Sequence, residues 1–154
     1  MIKAVTALPE HDLQNLNNLV DGNTNTFYDI SGTNANNPWI QMELIDIRAI
    51  KQIKIIKRYG GFFKLPKLKV RIGNTEVTKG NPNLLENNDL CGKYEGVGLS
   101  GDAVIMCPNP LTGKYITLEI TEERANIAEV EIFGQVMGTL NIYQVYTDGI
   151  GIVS

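Results

Sequence analysis

The sequence predicts an all-β protein, a single antiparallel β-sandwich or jelly roll. Three observations indicate this fold class: short runs rich in β-branched residues, frequent turn formers between them, and little long helical periodicity. The turn formers include sixteen Asn and fifteen Gly. With 154 residues, the chain is long enough for one ordinary domain and too short for two.

Six runs are predicted as strands because they are β-rich and bounded by Gly, Asn, Asp or Pro. They are residues 39–45, 50–57, 67–73, 103–107, 114–120 and 127–134.

Alternation in two of these runs predicts strands that are buried on one face only. In the fifth run, apolar residues alternate with the polar Thr117 and Glu119. In the sixth, they alternate with Glu129 and Glu131. Successive side chains of a strand point to opposite faces, so we expect these polar residues to face away from the core.

The two ends of the chain depart from this strand pattern. Leucines at positions 13, 16 and 19 predict one short helical turn or a capped loop before "DGN". The extension 137–154 is weakly charged and β-prone, with Leu140 and Ile142 alternating with polar residues. It is predicted either to add a terminal strand or to pair with a neighbouring chain as an oligomerisation tail.

Charge and hydropathy exclude two classes of partner. Fourteen basic and seventeen acidic residues give a net charge of −3, and no dense Lys/Arg block offers counterion release to a nucleic acid. No window holds the eighteen or so apolar residues of a membrane span, and no apolar run typical of a signal peptide follows Met1. We therefore expect a soluble chain.

Five segments occur in the order of a known lectin pattern: "NLVDGNTNTFY", "NPWIQMEL", "IKQIKIIKRYG", "CPNPLTGKYITLEI" and "IAEVEIFG". From Ala4 to Val136 the chain resembles the F-type lectins, or fucolectins, a branch of the discoidin-like (coagulation factor type C) domains. The resemblance implies a jelly-roll β-sandwich of the galactose-binding-domain-like kind over residues 1–136.

The resemblance also implies a disulfide between Cys91 and Cys107, the only cysteines in the chain. Fucolectins carry a pair here, before the same "CPxPxxGxY" pattern. A bond would stabilise the fold by about 3 kcal/mol and would indicate an extracellular, secreted protein. The alternative is two reduced, unrelated thiols.

A structural calcium ion is implied by the same family. By resemblance, Asp21 and Glu129 would supply carboxylates and Ser31 a hydroxyl or carbonyl. Asn18, Asn23 and Ala128 would supply main-chain carbonyls. A hard cation prefers six to eight such oxygens. The alternative is an ordinary Asp-Gly turn and a solvent-facing Glu129.

The segment "RYGGFFK" lies where the family binds its sugar. Arg58 matches the family arginine and Lys64 the later basic position, with Tyr59, Phe62 and Phe63 as apolar surface beside them. Two family residues are missing, because Ser31 stands at the histidine position and Gly60 at the aspartate position. The fucose motif is therefore degenerate, and the alternative is that both cations are solvated strand ends.

Catalytic motifs are not supported. "GVGLSG" has dinucleotide-loop spacing but precedes a predicted strand instead of a helix, and "GLSGD" lacks the last glycine of a nucleophile elbow. The sequence thus predicts a non-catalytic carbohydrate-binding domain. Because its fucose motif is degenerate, we expect it to bind a different glycan or glycoprotein, or to bind none. The alternative is a structural or assembly protein that uses the lectin scaffold for contacts between subunits.

Overall fold

The computed structural model of the chain describes residues 2–9, 15–30, 38–60, 63–96, 101–122, 125–136 and 143–145. Its strands are β1 Ile2–Leu8, β2 Tyr28–Ile30, β3 Trp39–Lys57, β4 Leu68–Gly73, β5 Asp89–Tyr94, β6 Ala103–Ile120, β7 Ala125–Val136 and β8 Tyr143–Val145. Two short 3₁₀ helices, Leu16–Leu19 and Pro82–Asn87, lie between strands. No helix in the described ranges is long and apolar enough to cross a membrane.

The two longest strands, β3 and β6, run through both layers of a β-sandwich. In one layer, the first half of β3 lies between β1 and the second half of β6. The second half of β6 also pairs with β4, and β4 pairs with β5 at the edge of this layer. In the other, the second half of β3 pairs with the first half of β6 and with β7, which also pairs with β2 and β8. All pairings are antiparallel, which confirms the predicted all-β sandwich.

The core lies between these layers, where inward side chains of both are removed from water. Ile53 and Ile55 of β3, Leu118 of β6 and Val130 of β7 are all fully buried. The core therefore fixes the two central strands, and with them the loops at their ends.

The sequence predicted separate strands within β3 and within β6, and this was wrong. Both strands continue through the expected breaks, at 46–49 in β3 and at 108–113 in β6. In the pairing of β3 with β6, Ile50 lies opposite Leu111 and Gln52 lies opposite Met106. Residues 107–110 of β6 therefore form a bulge opposite a single residue of β3. This bulge accommodates Pro108 and Pro110, which have no N–H to donate to a ladder.

The prediction that this strand is buried on one face only was wrong at Thr117. Thr117 is fully buried, and its hydroxyl lies 3.4 Å from Gln41 Oε1. The same oxygen accepts a hydrogen bond of 2.8 Å from the Val77 N–H. The connection between β4 and β5 covers the outer face of this layer, so Thr117 is buried there instead of exposed.

The predicted helical turn before "DGN" is confirmed by the helix Leu16–Leu19. Asn15 caps it, its side chain accepting a hydrogen bond from the Asn17 N–H. Leu19 is fully buried, whereas Leu13 lies outside the described residues.

In the C-terminal extension, β8 pairs with β7 of the same chain, Val145 opposite Phe133. The rest of 137–154, with Leu140 and Ile142, lies outside the described residues, so the oligomerisation tail stays a prediction.

The disulfide implied by the resemblance is present. Cys91 of β5 and Cys107 of β6 are joined across a sequence separation of 16 residues. Both cysteines are buried, and Cys107 belongs to the bulge of β6. The bond therefore fixes the outer strand β5 to the point where β6 passes from one layer to the other.

Replacing both cysteines with alanine should lower the free energy of unfolding by about 3 kcal/mol, because the unfolded chain regains the entropy of an open loop. Urea unfolding of the wild type and of the Cys91→Ala/Cys107→Ala variant measures this difference. A reductant should destabilise the wild type and leave the variant unchanged. Equal unfolding free energies for the two proteins would contradict the assignment.

Candidate functional site

One end of the sandwich brings together three separate stretches of chain. They are the end of β3, the loop 20–27 and the residues that lead into β6 at 101–102. The core sets their positions, since Ile55 of β3 pairs with Ala103 of β6 and Ile56 with Glu129 of β7. A register shift after Ile56 then places Lys57 opposite Ile127, so the strand bends as it leaves the sheet.

An open cleft of about 520 Å³ lies between these stretches, in the size range of small-ligand sites. Its described lining residues are Thr24, Asn25, Ile56, Lys57, Tyr59, Gly101 and Asp102. The lining combines an aromatic ring, an aliphatic side chain, an amide, a hydroxyl and one charge of each sign. Such a surface can stack on an apolar face of a ligand and exchange hydrogen bonds with its polar edge.

Tyr59 and Asp102 are held differently within the cleft. Tyr59 is 88% exposed, so its ring is available to a ligand without rearrangement of the core. Asp102 Oδ1 accepts a hydrogen bond of 3.1 Å from the Lys57 N–H. This bond ties the start of β6 to the end of β3 and fixes the carboxylate at the rim of the cleft.

The guanidinium of Arg58 lies between two aromatic rings. Its Cζ is 3.5 Å from the ring centroid of Phe27 and 4.0 Å from that of Phe63. Nη1 donates a hydrogen bond of 3.4 Å to Asn126 Oδ1. Cation–π contacts of this kind stabilise the pair by about 0.5–2 kcal/mol each and restrict the rotation of the side chain. The described residues thus hold Arg58 in place without an ion pair.

The structure brings together only some of the predicted sugar-site residues. Arg58 and Phe63 are in contact, and Tyr59, the residue after Arg58 in the chain, lines the cleft. Lys64 is exposed, as the alternative of a solvated cation expected. Gly60 has φ +95°, a conformation that an aspartate rarely adopts, so an aspartate at this position would be strained. Phe62 lies outside the described residues.

The predicted metal carboxylates, Asp21 and Glu129, lie close together below the cleft. Glu129 was predicted from the alternation to face solvent, and this was wrong, because it is 1% exposed. Its Oε2 accepts a hydrogen bond of 3.2 Å from the Gly22 N–H, while its buried Oε1 has no hydrogen-bond partner among the residues that the structure describes. Burial, together with the negative charge of Asp21, raises the pKa of Glu129 to about 8.

The donor set fits the calcium ion that the resemblance implies. A buried carboxylate next to a second one, with an oxygen left unpaired, is the arrangement that a bound cation would stabilise. Within the described ranges no three His, Cys, Asp or Glu side chains cluster, so the other ligands would be carbonyls, as at Asn18 and Ala128. The Asn23 carbonyl already accepts a hydrogen bond from the Thr26 N–H, and the single hydroxyl proton of Thr26 is within reach of both this carbonyl and Asp21 Oδ2. Ser31 lies outside the described residues.

Sequence reasoning missed two residues that contact Arg58 and every described residue of the cleft lining except Tyr59. Phe27 and Asn126 hold Arg58, and Lys57 and Asp102 line the cleft with Tyr59. Lys57 and Phe27 adjoin segments that the sequence singled out, so their proximity in the chain was an available signal. Asn126 and Asp102 come from distant segments, and only the strand pairing brings them to β3.

Comparison with known structures identifies the same fold. A family 32 carbohydrate-binding module from NanJ of Clostridium perfringens, solved with galactose, is 18% identical with a TM-score of 0.66, covering 84% of this chain and 91% of that one. The corresponding module of AlyQ, solved with 4,5-unsaturated mannuronic acid, is 22% identical with a TM-score of 0.64, covering 86% and 95%.

A fucolectin from striped bass (Morone saxatilis) serum is 21% identical with a TM-score of 0.64, covering 86% of this chain and 46% of that one. Comparison with curated proteins gives no match. A family model described as a NedA-like, galactose-binding domain matches residues 18–118, which is more than half of the chain. The chain therefore belongs to the NedA-like, galactose-binding family of F5/F8 type C domains.

Proposed function

We propose that this domain is a non-catalytic carbohydrate-binding module whose glycan occupies the cleft at the end of β3. The observation that carries the proposal is the cleft itself. It presents the largely exposed Tyr59 beside polar groups from three stretches of chain, on a fold whose solved relatives hold sugars.

A sugar ring matches this surface chemically. Its C–H face is apolar and stacks on an aromatic side chain, while its hydroxyls need fixed donors and acceptors. Tyr59 supplies the ring, Asp102 a positioned acceptor, and Asn25 both kinds of group. Hydrolysis of a glycosidic bond ordinarily uses two carboxyl groups. Only Asp102 supplies one in the described lining, which favours binding without catalysis.

The ligand we propose is not fucose. Of the family motif, Arg58 remains, but serine replaces the histidine and Gly60 the aspartate. Arg58 contacts Phe27, Phe63 and Asn126 instead of a carboxylate. The site thus combines a conserved scaffold with a changed set of donors.

Glycan binding is favoured over the assembly function by the cleft, which is open and lined by the loop 20–27, the end of β3 and the residues that lead into β6. The disulfide between Cys91 and Cys107 is consistent with an extracellular location for such a module.

We also propose that a structural calcium ion stabilises the loop 20–27 below the cleft. The support is the buried Glu129 with its unpaired Oε1, next to Asp21, whose Oδ1 accepts from the Asn23 N–H at 2.8 Å. A cation there would neutralise two neighbouring carboxylates and fix the loop that carries Thr24 and Asn25 into the cleft.

Replacing Tyr59 with alanine should weaken glycan binding about fivefold to thirtyfold, through the loss of ~1–2 kcal/mol of stacking. A glycan array identifies the saccharide, and calorimetry measures its affinity for both proteins. Since Tyr59 is 88% exposed, the melting temperature should not change. Ile47→Ala, which removes an exposed apolar side chain of β3 twelve positions before Tyr59, is the matched control. An unchanged affinity in Tyr59→Ala, or a blank array, would overturn the proposed site.

Removing calcium with a chelator should lower the melting temperature of the wild type, because the ion binds the folded state alone. The Glu129→Gln variant keeps the size of the side chain and loses its charge. We expect its melting temperature to respond little to the chelator. Identical melting curves of the wild type with and without calcium would contradict the proposal.

In the chelated wild type, stability should fall as the pH rises from about 4.5 to about 8. The pKa of Glu129 is about 8 in the folded state against an ordinary value of 4.5. Between these values the unfolded chain loses the proton first, so raising the pH favours unfolding. Urea unfolding at several pH values measures the slope. It should be smaller in Glu129→Gln, and an equal slope in both proteins would show that another group is responsible.

A further inference from the structure

The charge of Arg58 is not compensated by any carboxylate of the described residues. Its contacts are two phenylalanine rings and the neutral oxygen of Asn126. The guanidinium is half-buried and always charged. A charged group in such a position gains most from a partner of opposite charge, because the rings exclude part of the water that would otherwise solvate it.

The geometry of the contact leaves donors for such a partner. A guanidinium has five N–H groups, and one nitrogen, Nη1, is engaged with Asn126. Rings pack over its faces and not along its edges, so N–H groups at the edge remain available. Because the rings already restrict the side chain, little further entropy is lost when a ligand binds.

The charges near Arg58 bear on where a partner could come from. No Asp or Glu occurs between Asp46 and Glu76, so the chain on either side of Arg58 supplies no carboxylate. The described cleft lining holds one, Asp102, whose Oδ1 already accepts a hydrogen bond from the Lys57 N–H. The carboxylates of Asp21 and Glu129 lie beside each other below the cleft, where we propose a cation. Among the described residues, an anionic partner for Arg58 is therefore left to the ligand.

We infer that the glycan is acidic and that Arg58 binds its carboxylate. A carboxylate is planar and accepts two parallel N–H bonds from one guanidinium edge, which makes a uronic acid the matching sugar. The residues on either side of Arg58, Lys57 and Tyr59, line the cleft. The inference requires that a carboxylate on a sugar stacked on Tyr59 extends beyond this lining to the edge of the Arg58 guanidinium. The inference rests on the proposed glycan-binding function and names the class of sugar.

The test compares oligosaccharides of hexuronic acids with their methyl esters, which keep the shape of the sugar and remove its charge. Calorimetry at one fixed calcium concentration measures both affinities for the wild-type domain. We expect the acid form to bind at least about tenfold more tightly, as for other charge-assisted pairs. Its affinity should fall with added salt while that of the ester should not.

Two variants assign the effect to the residue. Arg58→Gln should reduce the affinity for the acid form to that for the ester. Lys93→Gln removes one charge from an exposed position of β5 and should change neither. Arg58→Lys keeps the charge without the planar edge and should recover only part of the preference. If Arg58→Gln fails to fold, the comparison of acid and ester on the wild type still decides the ligand class.

The outcomes separate the inference from the function on which it rests. Equal binding of acid and ester, or binding of neutral glycans alone, overturns the acidic ligand and leaves the carbohydrate-binding function standing. Tighter binding of a sulfated sugar than of the uronic acid overturns the carboxylate. Absence of binding to every saccharide overturns both proposals.

Discussion

The structure depends on the length of β3, which is paired on both sides along most of its course. Nineteen residues, Trp39–Lys57, pair with β1, β6 and β7. A strand of this length spans about 60 Å at ~3.3 Å per residue, so it can belong to both layers of the sandwich. Because its second half is fully buried at Ile50, Ile53 and Ile55, the residues at its end have a fixed position. The cleft, Tyr59 and Arg58 follow directly from that end.

Two ionisable side chains near this end have no partner of opposite charge among the described residues, for different reasons. Glu129 is buried on β7, and this burial, with the neighbouring charge of Asp21, raises its pKa although its Oε2 accepts one N–H hydrogen bond. Arg58 remains partly accessible and packs on aromatic rings. The first arrangement suits a cation inside the fold, and the second suits an anion arriving from solvent. The two proposed ligands thus follow from the same physical argument with opposite signs.

Much of the fold was predictable because each strand has a local pattern. The runs that became β4 and β7, the short helix near Leu16 and the sandwich class itself followed from alternation and turn formers. What failed depended on distant segments. Thr117 is buried because the connection between β4 and β5 covers it, and β6 continues because a bulge accommodates Pro108. Neither effect can be read from the few residues around each position.

The candidate site was predictable to a smaller extent. Arg58, Tyr59 and the carboxylates of Asp21 and Glu129 came from the resemblance to lectins, and the structure groups them at one end of the sandwich. Phe27 and Asn126, which determine what Arg58 can do, lie 31 positions before it and 68 after it. Their role follows from the pairing of β7 with β2 and β3, which no local pattern encodes.

The central claim is that the end of β3 forms the glycan site. An NMR titration of the isotope-labelled domain, using the tightest-binding saccharide from a glycan array, tests it most directly. We predict that the largest changes in amide chemical shift occur at residues 24–25, 57–59 and 101–102. Changes confined to the opposite part of the sandwich, around 45–48 and 111–113, would contradict the account.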